Sequence, residues 1–248
     1  MENNLVSIIM PAYNASETIK DSIDSVISQT YTNWELIVVD DCSTDNTLSI
    51  IEKHQEKDNR IKVLRNVENL KVAKTRNKGL DQAQGDFIAF LDADDMWFEN
   101  KLEKQLKFML KQNVDFSYTN ITRINNDGEY KELYFDDSVD YKKLLKSNQV
   151  SCLTVMLKSE LTKNLRMKDI GHEDYMFWLE ILKGNNVVAY NVNEVLAYYR
   201  VGNNSLSSNK LRAAKWQWNI YRNELGLSFI SSALNFIIYS IKGVLKHL

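Results

Sequence analysis

Three aspartates lie close together in Asp92-Ala93-Asp94-Asp95, directly after an apolar run at residues 87–91. Such a run is typical of a buried strand, and open α/β sheets bind ligands beyond the carboxyl ends of their strands. Side chains two residues apart in an extended segment project to the same side, so Asp92 and Asp94 can reach one object together. A divalent cation that also holds substrate phosphates would offset their mutual repulsion. The alternative is a solvated acidic turn that begins a helix, with Asp95 as the cap.

A second candidate feature is the turn that follows the first apolar run, residues 6–10. Pro11 lacks a backbone N–H, so we expect it to end the first strand. Tyr13 would then lie on the rim that faces a ligand, where its flat ring can stack on a nucleobase. The alternative is a turn whose tyrosine packs on a loop.

Asp40 and Asp41 follow the next apolar run, residues 34–39. Neighbouring residues of a strand face opposite ways, so we expect only one of the two to face the crevice. A carboxylate there could accept a hydrogen bond from an N–H of uracil or guanine, and it would also suit the N-terminus of a following helix. On a later predicted helix, Arg76 or Lys78 could face a diphosphate, or either could simply be solvated.

Strand and helix patterns alternate along the first half of the chain and predict a mostly parallel, doubly wound α/β sheet. Asn14, with Glu17 three residues later, resembles a capping box that opens the first helix. In the second half, Asn126-Asp127-Gly128 predicts a hairpin turn. The predicted strands cover residues 6–10, 34–39, 61–64, 87–91, 115–120, 155–157 and 187–190, and the predicted helices cover residues 15–27, 43–51, 72–84, 101–110 and 173–182.

The composition excludes several classes of protein. The 248 residues are 44% hydrophobic, enough for a sizeable core, and the net charge of −2 argues against a dedicated nucleic-acid binder. Cys42 and Cys152 are the only cysteines and are far apart, which argues against a disulfide scaffold and fits a reducing compartment. The first residues lack a basic segment, so we expect no signal peptide. No Gly-x-Gly-x-x-Gly follows the first strand, which disfavours a dinucleotide dehydrogenase.

Five segments bring these features together in one order along the chain. They read VSIIMPAYN (6–14), SVISQTY (25–31), ELIVVDDCSTD (35–45), TRNKG (75–79) and GDFIAFLDADD (85–95). On these segments the chain resembles the family-2 glycosyltransferases, which have the nucleotide-diphospho-sugar transferase (GT-A) fold, and the resemblance extends over roughly residues 5–205. It implies an inverting, metal-dependent enzyme of the hexosyltransferase type.

The resemblance implies a role for most of these side chains. Tyr13 and Asp41 match the contacts with the nucleotide base, and Pro11 shapes that wall of the site. Asp92 matches the acidic position near the ribose and the metal, while Asp94 matches the direct ligand of Mg²⁺ or Mn²⁺.

The family's catalytic base lies on a later helix, often in a Glu-Asp pair, and the resemblance places it at Asp174, directly after Glu173. An inverting sugar transfer needs a carboxylate that takes the proton of the acceptor hydroxyl as this hydroxyl attacks C1. The alternative is an ordinary acidic helix start, favoured by the helix dipole.

Two departures from the family pattern concern the loops around the donor. A glycine usually lies a few residues before the Arg76 element, and Lys71 or its neighbours stand there, which could hold that loop further from the nucleotide. The family's late Tyr-Arg-x-His element reads Tyr-Arg-Val-Gly at residues 199–202. The histidine that would assist the metal is missing, so we expect weaker metal binding. Arg200 could still contact the diphosphate, and residues 203–207 could close over the donor.

The chain divides into a transferase domain, residues 1–208, and a helical extension, residues 209–248. Apolar residues of the extension recur every three or four positions and predict one amphipathic stripe. Basic and aromatic residues mix ahead of it, which suits a membrane interface; the alternative is packing on the catalytic domain or a dimer seam. The stripe comprises Leu227, Ile230, Leu234, Ile237, Ile241 and Val244, and the mixed segment contains Lys210, Arg212, Lys215, Trp216, Trp218, Tyr221 and Arg222.

The sequence therefore predicts an enzyme that moves a sugar from a nucleotide-diphospho-sugar, in the first place a UDP-sugar, to a hydroxyl of a glycan or lipid-linked acceptor. We expect it in bacterial surface-polysaccharide or lipopolysaccharide biosynthesis, cytoplasmic and peripheral at the inner face of the cell membrane, with no nucleic acid as partner. Two alternatives stay open: a non-catalytic sugar-nucleotide or glycan-binding module, and a nucleotidyltransferase of related fold. The second would need a glycine-rich basic loop after the first strand, which residues 11–14 do not provide.

Overall fold

The computed structural model describes residues 4–124, 128, 130–201 and 210–245. Within this part of the chain, the strands are β1 (Val6–Ala12), β2 (Trp34–Asp40), β3 (Ile61–Arg65), β4 (Phe87–Phe90), β5 (Met96–Trp97), β6 (Phe116–Ile124), β7 (Tyr130–Leu133), β8 (Ser138–Val139), β9 (Met156–Lys158) and β10 (Ala189–Arg200). The α-helices are α1 (Ile19–Ile27), α2 (Thr47–Gln55), α3 (Lys71–Leu80), α4 (Lys101–Gln112), α5 (Tyr141–Leu144), α6 (Glu173–Gly184), α7 (Lys210–Asn219) and α8 (Phe229–Leu245).

The strands form one sheet whose first half is parallel. The order is β3-β2-β1-β4-β9-β6-β10-β5, with β7 beside β6 and β8 beside β10. β1 pairs in parallel with both β2 and β4, and β2 pairs in parallel with β3. Every residue of β1, β2 and β4 is buried, which accounts for their continuous apolar runs. The parallel arrangement places the carboxyl ends of these strands at the same edge of the sheet.

The second half of the sheet is mixed, and it extends the doubly wound pattern with antiparallel strands. β9 runs antiparallel to β4 and β6, whereas β10 runs parallel to β6. β6 and β7 form the predicted hairpin. Its turn residues 125–127 lie outside the described residues, and Gly128 has a φ of +77°, which favours glycine.

Pro11 lies inside β1, and the prediction that it ends the strand is wrong. The amide of Asp41 donates to the carbonyl of Ala12 at 2.8 Å, so Ala12 faces β2. Neighbouring strand residues direct their backbone groups to opposite sides, so Pro11 faces the β4 side. Pairing with β4 ends at Ile9 and Phe90. The strand can therefore continue without the N–H that proline lacks.

The predicted capping box at Asn14 is also wrong. α1 begins at Ile19, and no side chain caps it. Asn14 has a φ of +47°, and its Oδ1 accepts a hydrogen bond from the backbone N of Thr44 at 2.8 Å. Its amide thus joins the loop after β1 to the loop after β2 instead of opening a helix.

The C-terminal helices pack against the rest of the chain. Between α7 and α8, the π-helical segment Ile220–Glu224 places Ile220 and Tyr221 fully inside the core. Gln217 Nε2 donates to the Tyr175 hydroxyl at 3.2 Å, and the rings of Tyr175 and Tyr239 meet at 6.0 Å. None of the described helices combines the length and the hydropathy that crossing a bilayer requires.

Candidate active site

The acidic loop after β4 is held from below by α1. Thr18 Oγ1 and Ser22 Oγ both donate to the carbonyl of Ala93 at 2.9 Å. This fixes the backbone between Asp92 and Asp94 while their carboxylates stay accessible, since Asp92 is half-buried and Asp94 is exposed. Residues 92–95 form a turn and not the extended segment expected from the sequence, since the backbone N of Asp95 donates to the carbonyl of Asp92 at 3.1 Å, and the charge of Asp92 acts on Asp94 within this turn.

The acidic loop does not begin a helix, so that alternative is wrong. The short strand β5 follows the loop, and α4 begins only at Lys101. Asp95 is 1% exposed, and its Oδ1 accepts a hydrogen bond from the backbone N of Arg200 at 2.9 Å. Asp95 thus ties the loop to the end of β10 and is no helix cap.

Arg76 connects two parts of the chain that are far apart in sequence. Its Nη2 lies 2.6 Å from Asp92 Oδ1, and its Nη1 lies 2.7 Å from Glu173 Oε1. The guanidinium is buried, and this two-sided contact uses the fork geometry that lysine lacks. Lys78 instead donates to the carbonyl of Arg65 at 2.7 Å. Of the two basic residues left open by the sequence, Arg76 is therefore the one that reaches the acidic loop.

Asp174 follows Glu173 in the first turn of α6, and its pKa is higher than that of an ordinary aspartate. Burial, and then the neighbouring charge of Glu173, raise the pKa of Asp174 to about 7. A carboxylate placed at a helix start for its dipole alone would have a lowered pKa. A group that titrates near neutral pH beside other charged side chains has the properties of a general base.

Asp92 and Asp94 have the chemistry of a site for a hard divalent cation. Desolvation by the surrounding protein, and then the charge of Asp92, raise the pKa of Asp94, although part of its side chain reaches solvent. A cation between the two carboxylates would relieve this repulsion. In the described part of the chain, His, Cys, Asp and Glu form no group of three or more that could hold a metal. Two carboxylates completed by substrate phosphates are nevertheless a usual arrangement for Mg²⁺, so the residues fit such an ion.

Asp41 lies buried beyond β2, beside the loop that leads into α3. It accepts hydrogen bonds from Asn66 Nδ2 at 2.7 Å, from Leu70 N at 2.8 Å and from Lys71 N at 2.9 Å. Lys71 has a φ of +67°, the left-handed conformation that favours glycine. The backbone at Lys71 thus keeps a glycine-like conformation although the side chain is different.

The remaining predicted site residues surround this centre. Tyr13 is 51% exposed beyond β1, and Pro11 is buried in the strand below it. Arg200 Nη2 lies 3.4 Å from Asp21 Oδ2, while the backbone of Arg200 binds Asp95. The segment that could close over the donor, residues 203–207, lies outside the described residues.

The structure brings the predicted residues together to different degrees. Arg76, Asp92, Glu173 and Asp174 form one charged cluster, and Asp94 adjoins it through Asp92. Asp41 and Tyr13 lie beyond neighbouring strands at the same edge of the sheet.

Two neighbours of the cluster are not predicted by any sequence pattern. Cys152 is buried in a short 3-10 helix, Cys152–Thr154, where it interacts with Arg76, and burial raises the pKa of its thiol. His172, the residue before α6, meets the ring of Trp216 at 5.4 Å. A lone cysteine and a tryptophan in a basic helix carry no pattern that predicts either contact.

Comparison with known proteins identifies the family of this chain. Residues 7–164 match the family described as Glycosyl transferase family 2. The chain is 43% identical over 247 residues to the putative teichuronic acid biosynthesis glycosyltransferase TuaG of Bacillus subtilis (strain 168), covering 98% of each chain. It is 44% identical over 244 residues to the UDP-Glc:alpha-D-GlcNAc-diphosphoundecaprenol beta-1,3-glucosyltransferase WfgD of Escherichia coli, covering 98% of this chain and 96% of that one.

A solved structure shows the same fold. S. aureus TarS 1-349 in complex with UDP-GlcNAc superposes with a TM-score of 0.72 at 23% identity, over 88% of this chain and 66% of that chain. The predicted fold is confirmed, and the matched range covers, apart from Val6, the five segments that carried the resemblance. The chain belongs to glycosyl transferase family 2.

Proposed function

We propose that this glycosyltransferase moves a sugar from UDP to a hydroxyl of a lipid-linked glycan, with inversion, in the assembly of a bacterial surface polysaccharide. The observation that carries the proposal is the Arg76 bridge between Asp92 and Glu173, because it joins the proposed donor carboxylates to the helix of the base. The names of the two relatives, one acting on a diphosphoundecaprenol-linked sugar and one in teichuronic acid biosynthesis, agree with this acceptor class.

Each charged residue has one task in the proposed reaction. Asp174 takes the proton of the acceptor hydroxyl while the hydroxyl oxygen attacks C1 of the donor sugar and the bond from C1 to the diphosphate breaks. Asp92 and Asp94 would hold Mg²⁺ or Mn²⁺, which when bound neutralises charge on the phosphate oxygens. Arg76 keeps Asp92 and Glu173 at a fixed separation. The leaving nucleoside diphosphate needs no acid from the protein.

The hydrogen bonds of Asp41 favour a nucleobase with a single ring N–H, which is uracil or thymine. Its Oδ1 already accepts two hydrogen bonds, from Asn66 and Leu70, and its Oδ2 accepts one, from Lys71. Each carboxylate oxygen has about two acceptor sites, so Oδ2 keeps one. A single ring N–H, as in uracil or thymine, fits one site, whereas guanine presents an N–H and an NH₂ group side by side. We therefore expect UDP and dTDP to bind in preference to GDP.

A donor screen tests this proposal. Melting temperatures recorded with Mn²⁺ and with UDP-, dTDP- and GDP-sugars should rise most for a UDP-sugar, because a ligand that binds only the folded state stabilises it. The preferred sugar should then be transferred to a sugar linked to a lipid diphosphate. Asp94→Asn should lose the metal-dependent part of the rise. A larger rise with GDP-sugars would contradict the assignment of Asp41 to a uracil or thymine base.

The pH dependence of transfer should report Asp174. A base must be deprotonated, so kcat/KM should be constant above about pH 7 and fall about tenfold per pH unit below it, given a pKa of about 7. Binding of UDP and Mn²⁺ is measured at each pH as a control. A rate that stays level well below this pKa while binding is unchanged would contradict the assignment.

The outer face of α8 supports contact with a membrane surface. Ile230, Leu234, Ile237 and Ile241 are between 54% and 72% exposed, and such contiguous apolar faces commonly mark interaction sites. Beside them lies an open groove of about 500 Å³. The groove is lined by Lys146, Ser228, Ile230, Ser231, Leu234, Asn235 and Ile238.

The aromatic residues ahead of α8 do not share this face. Tyr221 is fully buried, and Trp218 packs against Phe229 and Phe236. The stripe on α8, not the mixed basic and aromatic segment, is therefore the surface that we expect to meet lipid.

Replacing both Leu234 and Ile237 by Gln should reduce co-sedimentation with phosphatidylglycerol vesicles at least about tenfold. The variant loses the free energy that the wild type gains when these two apolar side chains move from water into the membrane interface. Leu110→Gln, an exposed leucine on α4, is the matched control and should pellet like the wild type. Point variants are preferable to truncation because Ile220 and Tyr221 lie in the core. Equal pelleting of all three proteins would remove the membrane role.

A further inference from the structure

Helix α7 contacts the segment that leads into the proposed base. The His172 ring lies beside the backbone of Ala213, and the rings of His172 and Trp216 meet edge to face at 5.4 Å. A Cβ on Gly171 would overlap the atoms of the Trp216 ring, so this approach requires glycine. Trp216 therefore lies directly against the two residues that precede Glu173.

The same helix carries positive charge next to Trp216. The guanidinium carbon of Arg212 lies 5.1 Å from the centre of the Trp216 ring, within the range of a cation–π contact. Lys215, one turn further, is exposed, and α7 contains Lys210 but no acidic residue. The described side chains of α7 therefore carry only positive charge, and Arg212 lies over the ring that contacts the segment before Glu173.

The chemistry of the proposed acceptor matches this element. In a sugar linked to a lipid diphosphate, the phosphate is attached to C1 and the free hydroxyls lie on other carbons of the same ring. Arginine binds phosphate oxygens in a fork, and a tryptophan ring gives a sugar an apolar contact surface. Helix α8 follows α7 in the chain, and the lipid part of the acceptor would extend along its exposed apolar face.

We infer that Arg212 and Trp216 form the acceptor site, with Trp216 against the sugar that supplies the hydroxyl and Arg212 against the phosphate that links this sugar to lipid. The inference rests on the proposed function, since it assigns the acceptor of the same reaction. The donor binds elsewhere, at the ends of β1, β2 and β4.

Kinetics with two water-soluble acceptors test the inference in the full chain. One acceptor is a sugar linked to a diphosphate with a short alkyl tail, and the other is the methyl glycoside of the same sugar. Arg212→Gln should raise KM for the first acceptor at least about tenfold, through loss of charge-assisted hydrogen bonds, with the donor KM unchanged. For the methyl glycoside, Arg212→Gln should change nothing. Arg212→Lys should recover part of the loss.

Two further variants separate the contributions. Lys183→Gln is the matched control, because the exposed Lys183 also lies over an aromatic ring, that of Tyr141 at 5.7 Å, away from α7. It should leave both KM values unchanged. Trp216→Leu keeps an apolar side chain against Gly171 but removes the flat ring, and it should weaken transfer to both acceptors. Melting temperatures verify that each variant is folded.

Direct binding separates failure of the inference from failure of the proposed function. Titration of the diphosphate acceptor into protein saturated with UDP and Mn²⁺ should show binding that Arg212→Gln weakens, whether or not transfer is observed. Equal losses with both acceptors, or a parallel rise in donor KM, would overturn the acceptor site. If Arg212→Gln weakened acceptor binding or transfer only in the presence of phosphatidylglycerol vesicles, the acceptor site would also be overturned, because Arg212 would then bind the lipid surface. Absence of transfer from any UDP-sugar by the wild type would contradict the proposed function instead.

Discussion

Replacing Asp174 by Asn should reduce sugar transfer by a factor of about 10²–10⁴, the usual contribution of a positioned general base. Asparagine has nearly the same size and can still accept the hydrogen bond that Asp174 Oδ1 receives from the backbone N of Tyr175 at 2.7 Å. It cannot take a proton from the acceptor hydroxyl. UDP binding, measured by titration with Mn²⁺, should therefore persist while turnover is lost.

The same variant should be more stable than the wild type at alkaline pH. The pKa of Asp174 is about 7 in the folded chain and near 3.8 when exposed, so the folded state holds the proton more tightly. Stability of the wild type therefore falls as the pH rises from about 4 to 7 and stays lower above that. The side chain of the Asp174→Asn variant carries no charge at any of these pH values. Its melting temperature should therefore exceed that of the wild type at about pH 8 and approach it near pH 4.

A matched control separates this effect from general damage to α6. Glu180→Gln removes another carboxylate of the same helix, one paired with Lys168 at 2.9 Å, and should leave transfer unchanged. Full activity of Asp174→Asn would reject the base assignment. Loss of activity together with lower stability at alkaline pH would attribute the effect to misfolding.

Replacing Arg76 by Gln should destabilise the protein by about 3 kcal/mol, at the low end of the range for breaking a buried ion pair. The low end applies because the side chains of Asp92 and Glu173 remain 29% and 16% exposed. For a chain of this size the melting temperature should fall by roughly 6–12 °C. Arg76 also lowers the pKa of Asp174, so the pH profile of any remaining transfer should shift to higher pH.

The exposed pair of Arg166 and Asp81 provides the comparison. Its Nη2–Oδ1 distance is also 2.6 Å, but its side chains are 40% and 54% exposed. Arg166→Gln should therefore cost at most about 1 kcal/mol, because solvent screens such pairs. Arg76→Lys retains the charge but cannot reach both carboxylates, so it should recover only part of the stability. Equal small losses for both arginines would show that the bridge has no special role.

The sequence was informative where a local pattern corresponds to a local structure. The apolar run before Asp92 is long enough to predict a buried strand. The i and i+2 spacing predicts a shared side only for an extended segment, whereas Asp92 and Asp94 lie in a turn closed by the hydrogen bond from the backbone N of Asp95 to the carbonyl of Asp92. The pattern could not decide between Arg76 and Lys78, because both are polar residues of one helix. Their difference depends on Glu173, 97 residues away, which pairs with Arg76.

The errors have the same origin. Pro11 looks like a strand end because proline breaks ladders, but its missing N–H faces the side where pairing has already stopped. Asn14 has the composition of a helix cap, yet its amide binds Thr44 in another loop. In each case a contact distant in sequence decides the outcome.

The contact of Trp216 with Gly171 has an evolutionary consequence. The family match ends at residue 164, before Asp174, so the base and the helix that packs beside it belong to the part of the chain beyond that match. Gly171 and Trp216 both lie in that part. Any side chain larger than hydrogen at residue 171 would overlap the Trp216 ring, so we expect relatives that lack glycine at this position to carry a smaller residue in place of the tryptophan.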